Sequence, residues 1–130
     1  MESVRRLGWI QIDCRDPLAL AAFWGRMLGL QIDDDYLGEP PHYVGLVPTE
    51  QGHPVITFQR VPEPKTGKNR LHLDVSVEDV DRATAQVEAL GGGRFQEADV
   101  HEYGYSWRVM SDPEGNEFCL IYEAAASPSE

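Results

Sequence analysis

The sequence has no long hydrophobic run and only two cysteines. Its apolar runs fall far short of the roughly 20 residues that a membrane-spanning helix needs. A secretion signal has an apolar segment after its basic residues, and no such segment follows the arginines of residues 1–6. We therefore expect a cytoplasmic protein with no membrane partner. Cys14 and Cys119 are expected to be reduced, with a disulfide bond between them as the alternative.

Basic residues are also few, with 11 Lys and Arg against 22 Asp and Glu and a net charge of −11. Nucleic acids and anionic membranes are bound by clustered Lys and Arg, so neither is an expected partner. Lys65, Lys68 and Arg70 do cluster, but they lie in a segment rich in proline and glycine, which we interpret as a linker. The length of 130 residues suits a single globular domain.

The first half of the chain begins with a strand pattern and continues with a helix pattern. Residues 9–13 alternate between apolar and polar side chains, which predicts a half-buried strand. Asp16 and Pro17 are typical of a helix start, and apolar residues at helical spacing follow as far as Gly29. Further strands are predicted at residues 30–32, 43–47 and 55–61.

The second half repeats this order, so that residues 72–79 align with residues 9–16. A strand is predicted at residues 71–75, and Ser76 with Asp79 forms a capping-box pattern before a helix that ends near Gly91. We predict a loop at residues 100–105 and strands at residues 107–110 and 118–122. Two copies of one unit indicate a domain with pseudo-twofold symmetry.

Several motifs in this order resemble the vicinal-oxygen-chelate superfamily, which includes glyoxalases, bleomycin-resistance proteins and dioxygenases. They are the helix from Asp16-Pro17 to Met27-Leu28-Gly29-Leu30, the second helix ending at Ala89-Leu90-Gly91-Gly92, and the turn Asp112-Pro113-Glu114-Gly115-Asn116. Leu71-His72-Leu73-Asp74 and Phe118-Cys119-Leu120 resemble its glyoxalase-like subgroup. The resemblance covers residues 7–122. It implies an α+β fold of two β-α-β-β-β modules, whose eight strands form an incomplete barrel with the helices outside.

On this basis we expect one glyoxalase-like domain over residues 1–126. Module one would span residues 5–61, the linker residues 62–70 and module two residues 71–123, with a disordered tail at residues 124–130. The resemblance also implies a homodimer, because members of the superfamily commonly pair their modules.

Members with metal chemistry place ligands at positions that correspond here to Trp9, Thr57, His72 and Cys119. Tryptophan cannot ligate a metal and a neutral threonine is a poor ligand. His72 suits a metal, and so does Cys119 if it is deprotonated, but two ligands do not make a tight site. Further metal ligands could come from the weakly binding amides of Gln11 and Gln59. They could also come from His42 or His101, if either moves in from its loop. We therefore expect no metal or other cofactor, with a divalent metal as the alternative.

Strand parity predicts which side chains face the concave side, where a small-molecule ligand would bind. His72 beside Asp74 is the candidate general base, and a plain hydrogen-bonded histidine is the alternative. Cys119 is expected to be inert, and Glu117 is either a pocket residue or a solvated surface acid. The predicted ligand-binding residues are Trp9, Gln11, Thr57, Gln59, His72, Asp74, Trp107, Glu117 and Cys119, and Asp13 and Val109 share their face.

Three functions are compatible with these residues. The first is a small-molecule binder that sequesters a ligand or drug, with Trp9 and Trp107 available for stacking on a planar or cationic molecule. The second is an enzyme of isomerase, lyase or dioxygenase type, which depends on a metal or on His72. The third is a structural or regulatory protein whose pocket is filled by its own side chains. We favour the first.

Overall fold

A computed structural model describes residues 3–124 of the chain, so the tail predicted at residues 124–130 lies outside the described residues except for Ala124. The chain divides into two compact units, with the boundary between Pro64 and Lys65. We call the unit up to Pro64 the first module and the unit from Lys65 the second module. Each contains one sheet and one α-helix in the described residues, and the predicted α+β class is confirmed. Neither helix is long and apolar enough to cross a bilayer.

The first module has a three-stranded sheet in the order β1-β3-β2. Its elements are β1 (Trp9–Cys14), α1 (Pro17–Leu28), β2 (Tyr43–Gly45) and β3 (Val55–Arg60). Strand β3 pairs in parallel with β1 and antiparallel with β2. The strand predicted at residues 30–32 is wrong, because only an isolated bridge between Ile32 and Leu46 forms there. Leu30 is not available for pairing because its N–H donates to the helix carbonyl of Gly25 at 2.9 Å.

Helix α1 begins and ends as the sequence predicts. The Asp16 side chain accepts a hydrogen bond from the Ala19 N–H at 3.1 Å, and Gly29 ends the helix in the left-handed region with φ 68°. The helix packs on β2 and β3 through an apolar face. On that face Phe23 and Trp24 meet edge to face, with ring centroids 5.3 Å apart. This face is almost completely buried and forms the core of the first module.

The second module has a larger sheet in the order β4-β8-β7-β5, and β6 also pairs with β7. Its elements are β4 (Asp74–Ser76), α2 (Val80–Ala89), β5 (Gly93–Arg94), β6 (Val100–Glu102), β7 (Tyr105–Ser111) and β8 (Glu117–Tyr122). Strand β4 starts at Asp74, so the prediction of a strand from residue 71 is wrong and His72 precedes it. The loop predicted at residues 100–105 is also wrong, because β6 and β7 form a hairpin that turns at Tyr103 and Gly104, both with positive φ.

Helix α2 starts at Asp79, the acidic residue that the sequence repeat aligns with the cap Asp16, and not at Ser76. The side chain of Asp79 accepts hydrogen bonds from the N–H groups of Asp81 and Arg82, both at 3.1 Å. Ser76 is not part of the cap, because it is still extended in β4, where it pairs with Ile121 of β8. The capping-box prediction was therefore wrong in its first residue, although Asp79 does cap the helix.

The turn between β7 and β8 is organised by one buried carboxylate. Asp112 is 3% exposed, and its Oδ1 accepts hydrogen bonds from the N–H groups of Glu114 at 2.9 Å and Asn116 at 3.0 Å. The Asn116 side-chain amide donates to Oδ2 at 3.0 Å, and Gly115 adopts a φ of 87°. This turn fixes the register of β7 and β8, the two longest strands of the second module, which carry six of the nine residues that line its cavity.

Candidate functional site

Strand register places the site residues of the two modules in equivalent positions. In the first module Gln11 of β1 pairs with Thr57 of β3, and in the second module Asp74 of β4 pairs with Cys119 of β8. Both pairs join parallel strands, which agrees with the repeat seen in the sequence. The chemistry nevertheless differs: the first module offers an amide and a hydroxyl, whereas the second offers a carboxylate and a thiol.

The first module contains a cavity of about 330 Å³. Of the predicted residues on the concave side, Trp9, Gln11 and Thr57 line this cavity, but Asp13 and Gln59 do not. The backbone carbonyl of Gln59 accepts a hydrogen bond from Cys14 Sγ at 3.5 Å. The remaining lining residues are Asp33, Asp35, Leu37, Tyr43, Gly45 and Val55.

The second module contains a cavity of about 410 Å³. Six residues placed on the concave side by parity line it together: His72, Asp74, Trp107, Val109, Glu117 and Cys119. Lys68, Tyr105 and Ile121 complete the lining. Ile121 was not predicted to line the cavity, although it continues the alternation of Glu117 and Cys119 along β8. No pattern in the sequence pointed to Lys68, which lies in the segment interpreted as a linker.

Three reactive side chains converge at one end of this cavity. His72 Nε2 lies 3.4 Å from Asp74 Oδ1, and both side chains are about half exposed. The Sγ atom of Cys119, a residue only 7% exposed, completes a group whose ligand atoms all lie within 4.8 Å of one another. Burial, reinforced by the nearby Asp74 carboxylate, raises the pKa of the Cys119 thiol to about 11. The thiol therefore keeps its proton near neutral pH, so Cys119 is not an activated nucleophile.

Glu117 is a buried ion-pair partner, so the alternative of a solvated surface acid is wrong. It is 3% exposed, and its Oε2 lies 3.0 Å from Lys65 Nζ. Burial by itself would raise the pKa of Glu117, but the contact with Lys65 and backbone hydrogen bonds together outweigh it, and the net pKa is lowered. The Asn69 side-chain amide donates to the Glu117 carbonyl at 3.4 Å. These contacts hold part of the predicted linker against β8 and bring Lys68 to the cavity.

The two loop histidines considered as extra metal ligands are engaged elsewhere. In the second module a ring nitrogen of His101 lies 2.8 Å from Ser106 Oγ across the β6–β7 hairpin. In the first module a ring nitrogen of His42 lies 3.0 Å from the Pro40 carbonyl. Neither belongs to the group around Cys119. The four ligand positions implied by the resemblance do not fit a metal, because Trp9 cannot ligate and Thr57 is a neutral hydroxyl.

The repeat of a strand, a helix and further strands, with a cavity beside each parallel strand pair, defines a class of α+β proteins built from two similar modules. A family model described as a glyoxalase-like domain matches residues 9–121, so this chain belongs to the glyoxalase-like domain family. The superfamily assignment made from the motifs is thereby confirmed. A comparison with curated proteins finds no match.

Solved structures of the same superfamily are similar to the chain over nearly its whole length. A glyoxalase/bleomycin resistance protein/dioxygenase family enzyme from Burkholderia phytofirmans PsJN has a TM-score of 0.72 at 23% identity, covering 92% of this chain and 100% of its own. A glyoxalase family protein from Bacillus cereus has a TM-score of 0.69 at 18% identity, covering 95% and 97%. A glyoxalase-related enzyme from Fulvimarina pelagi has a TM-score of 0.64 at 18% identity, covering 92% and 89%. At these identities the similarity establishes the fold.

Proposed function

We propose that the protein binds and sequesters a small organic molecule in the cavity of the second module. The observation that carries this proposal is the composition of the cavity wall. Trp107, Val109 and Ile121 offer an apolar surface, while Lys68 and the His72–Asp74 pair offer polar groups. A volume of about 410 Å³ lies within the range of small-molecule sites, and such a mixture of apolar walls with few polar groups is typical of them.

Binding without chemistry is favoured by the state of the reactive groups. The Cys119 thiol is protonated near neutral pH, and Glu117 is neutralised by Lys65 rather than poised to exchange a proton with a ligand. One similar solved structure, from Albidiferax ferrireducens T118, is described as a glyoxalase/bleomycin resistance protein, and the second half of that name fits sequestration. We also propose the homodimer implied by the resemblance. Light scattering in solution tests it through a mass of twice 14.6 kDa.

The binding proposal can be tested with the fluorescent aromatic probe anilinonaphthalene sulfonate. We expect the wild-type protein to bind the probe, and Trp107→Ala to weaken binding by about 10-fold, since losing an aromatic wall costs about 1.4 kcal/mol or more. Trp107→Phe should restore most of the affinity. Phe95→Ala is the matched control, because Phe95 is a half-exposed aromatic residue of the same module that does not line the cavity. Equal losses in Trp107→Ala and Phe95→Ala would contradict the proposal.

A second candidate function is an enzyme that uses His72 as general base. The 3.4 Å contact between His72 Nε2 and Asp74 Oδ1 favours it, because a carboxylate can orient and stabilise an imidazole that accepts a proton. The test is turnover of a panel of small carbonyl compounds by the wild type and by His72→Gln. Turnover that disappears in a folded His72→Gln protein supports the enzyme. Turnover that persists in the variant removes His72 as the base.

A further inference from the structure

The group formed by His72, Asp74 and Cys119 is built on the pairing of β4 with β8, with His72 two residues before Asp74. Asp74 and Cys119 are direct partners in the parallel pairing of β4 with β8. The Cys119 N–H donates to the Leu73 carbonyl at 3.0 Å, which also fixes the backbone between His72 and Asp74. The three side chains therefore start from backbone positions that are defined before any ligand arrives.

The distances within this group suit a tetrahedral metal ion. Zinc binds imidazole nitrogen and carboxylate oxygen at about 2.1 Å and thiolate sulfur at about 2.3 Å, so neighbouring tetrahedral ligand atoms lie about 3.4–3.8 Å apart. His72 Nε2 and Asp74 Oδ1 are already 3.4 Å apart, and no pair of ligand atoms in the group is more than 4.8 Å apart. Small side-chain rotations are enough to bring the three atoms around one ion.

The chemistry of the three donors points to the same kind of metal. One imidazole, one carboxylate and one thiolate form a mixed nitrogen, oxygen and sulfur set that zinc accepts. A carboxylate and a thiolate together balance the charge of a divalent ion. When the metal binds, the Cys119 S–H bond breaks, the sulfur keeps the electron pair for the metal, and the proton is released to solvent.

We propose that His72, Asp74 and Cys119 form a three-ligand site for zinc or a similar divalent transition metal, contained within the second module. The site differs from the four positions implied by the resemblance, because Asp74 is not one of them and neither Trp9 nor Thr57 takes part. Three protein ligands leave a fourth position open, as in catalytic zinc sites. All three ligands line the cavity that also contains Trp107.

Metal binding is measured on the full-length protein with zinc and cobalt alone, so the result does not depend on the unidentified organic ligand. We expect one zinc per chain by elemental analysis after dialysis against zinc and then against metal-free buffer. Cobalt should give the visible spectrum of a tetrahedral site and a sulfur-to-cobalt charge-transfer band. Cys119→Ser should abolish that band, and His72→Gln and Asp74→Asn should each weaken zinc binding by at least about 100-fold, since even outer partners of a metal are worth 10–100-fold.

The matched control is a second histidine–carboxylate pair in the first module. His53 Nε2 lies 3.3 Å from Glu50 Oε2, and both side chains are exposed. Among residues 3–124 the pair does not belong to a group with a third metal-binding side chain. His53→Gln should leave the zinc stoichiometry and the cobalt spectrum unchanged. Less than one tenth of a zinc per chain in the wild type, a charge-transfer band that persists in Cys119→Ser, or equal losses in His53→Gln and His72→Gln would each overturn the proposal. Circular dichroism of each variant confirms that the fold is retained.

Discussion

Helix α1 of the first module buries Leu20, Phe23 and Trp24 on its sheet, whereas the buried side chains of α2 in the second module are Thr84 and Val87. The second helix is held instead by a polar network around Arg108 of β7. The Arg108 guanidinium donates to Thr84 Oγ1 at 2.9 Å and to Asp81 Oδ1 at 3.1 Å. The helix that follows the first strand of each module is thus held mainly by apolar burial in the first module, and by charged hydrogen bonds together with the burial of Val87 in the second.

Asp99 completes the network by accepting from the two Arg108 nitrogens, Nε and Nη2, that do not contact α2. Its two carboxylate oxygens accept hydrogen bonds from Arg108 at 2.8 and 3.0 Å, and Oδ2 also accepts one from Tyr122 at 2.6 Å. The hydrogen bonds from Arg108 hold the pKa of Asp99 at about 2, below its ordinary value of 3.8. Such a network can stabilise a helix that is poor in apolar residues, but its contribution to stability then becomes sensitive to acid.

The difference extends to the two cavities. The equivalent positions hold Trp9 and Gln11 in the first module but Asp74, preceded by His72 just before β4, in the second. The register partner of Gln11 is Thr57, and that of Asp74 is Cys119. Only the second set contains side chains that can exchange protons or bind a transition metal. The two modules therefore differ in chemistry at equivalent strand positions, although Asp33 and Asp35 also bring carboxylates to the cavity of the first module.

The largest expected effect comes from removing an apolar contact of α1. Phe23→Ala should lower the free energy of unfolding by about 3–5 kcal/mol, because a large buried ring leaves a cavity. Val87→Ala, the corresponding truncation on α2, should cost about 2 kcal/mol, since two buried methyl groups are lost. Urea unfolding at pH 7 measures both. Equal costs would show that the two helices depend on apolar burial to the same degree.

A smaller effect is expected from removing the cation of the polar network. Arg108→Met should cost about 2–3 kcal/mol at pH 7, since it removes several hydrogen bonds to charged groups. Because the folded pKa of Asp99 is below its unfolded value, its contribution is complete above about pH 4 and is lost as the pH falls towards 2. The difference between wild type and variant should therefore shrink between pH 4 and pH 2.

Two controls make this prediction specific to the network. Arg82→Met removes an exposed arginine of α2 and should change the stability by less than about 0.5 kcal/mol. Phe23→Ala should cost the same at pH 3 as at pH 7, since the truncation removes the burial of an uncharged ring. A cost of Arg108→Met that does not depend on pH would show that Asp99 contributes no linked protonation.

The smallest effects concern the helix caps, which are the feature that the two modules share. Asp16→Ala and Asp79→Ala should each cost about 1 kcal/mol, because each removes a side-chain acceptor from the first turn of a helix. Ser76→Ala is the control and should cost less than about 0.5 kcal/mol, since Ser76 lies in β4 and not at the cap. A cost for Ser76→Ala as large as that for Asp79→Ala would restore the capping box inferred from the sequence. Thermal or urea unfolding measures all three.

The helices, the turn at residues 112–116 and the family could be predicted from the sequence, because each depends on local or periodic signals. Asp16-Pro17 before a run of apolar residues at helical spacing is typical of a helix start. Gly29 readily adopts the left-handed backbone conformation in which the helix ends. Alternation along β8 likewise placed Glu117 and Cys119 on one face. These features depend on neighbours within a few residues, so the amino-acid sequence by itself determined them.

Contacts between distant residues were decided by the tertiary structure. Lys65 and Glu117 are far apart in sequence, and only the folded chain makes them a buried ion pair that brings Lys68 to the cavity. The same holds for Asp74 and Cys119. The register of β4 and β8 makes these two residues direct partners and so places two potential metal ligands side by side. Such pairings are set by strand register and burial, which depend on the whole module, so no local pattern in the sequence could show them.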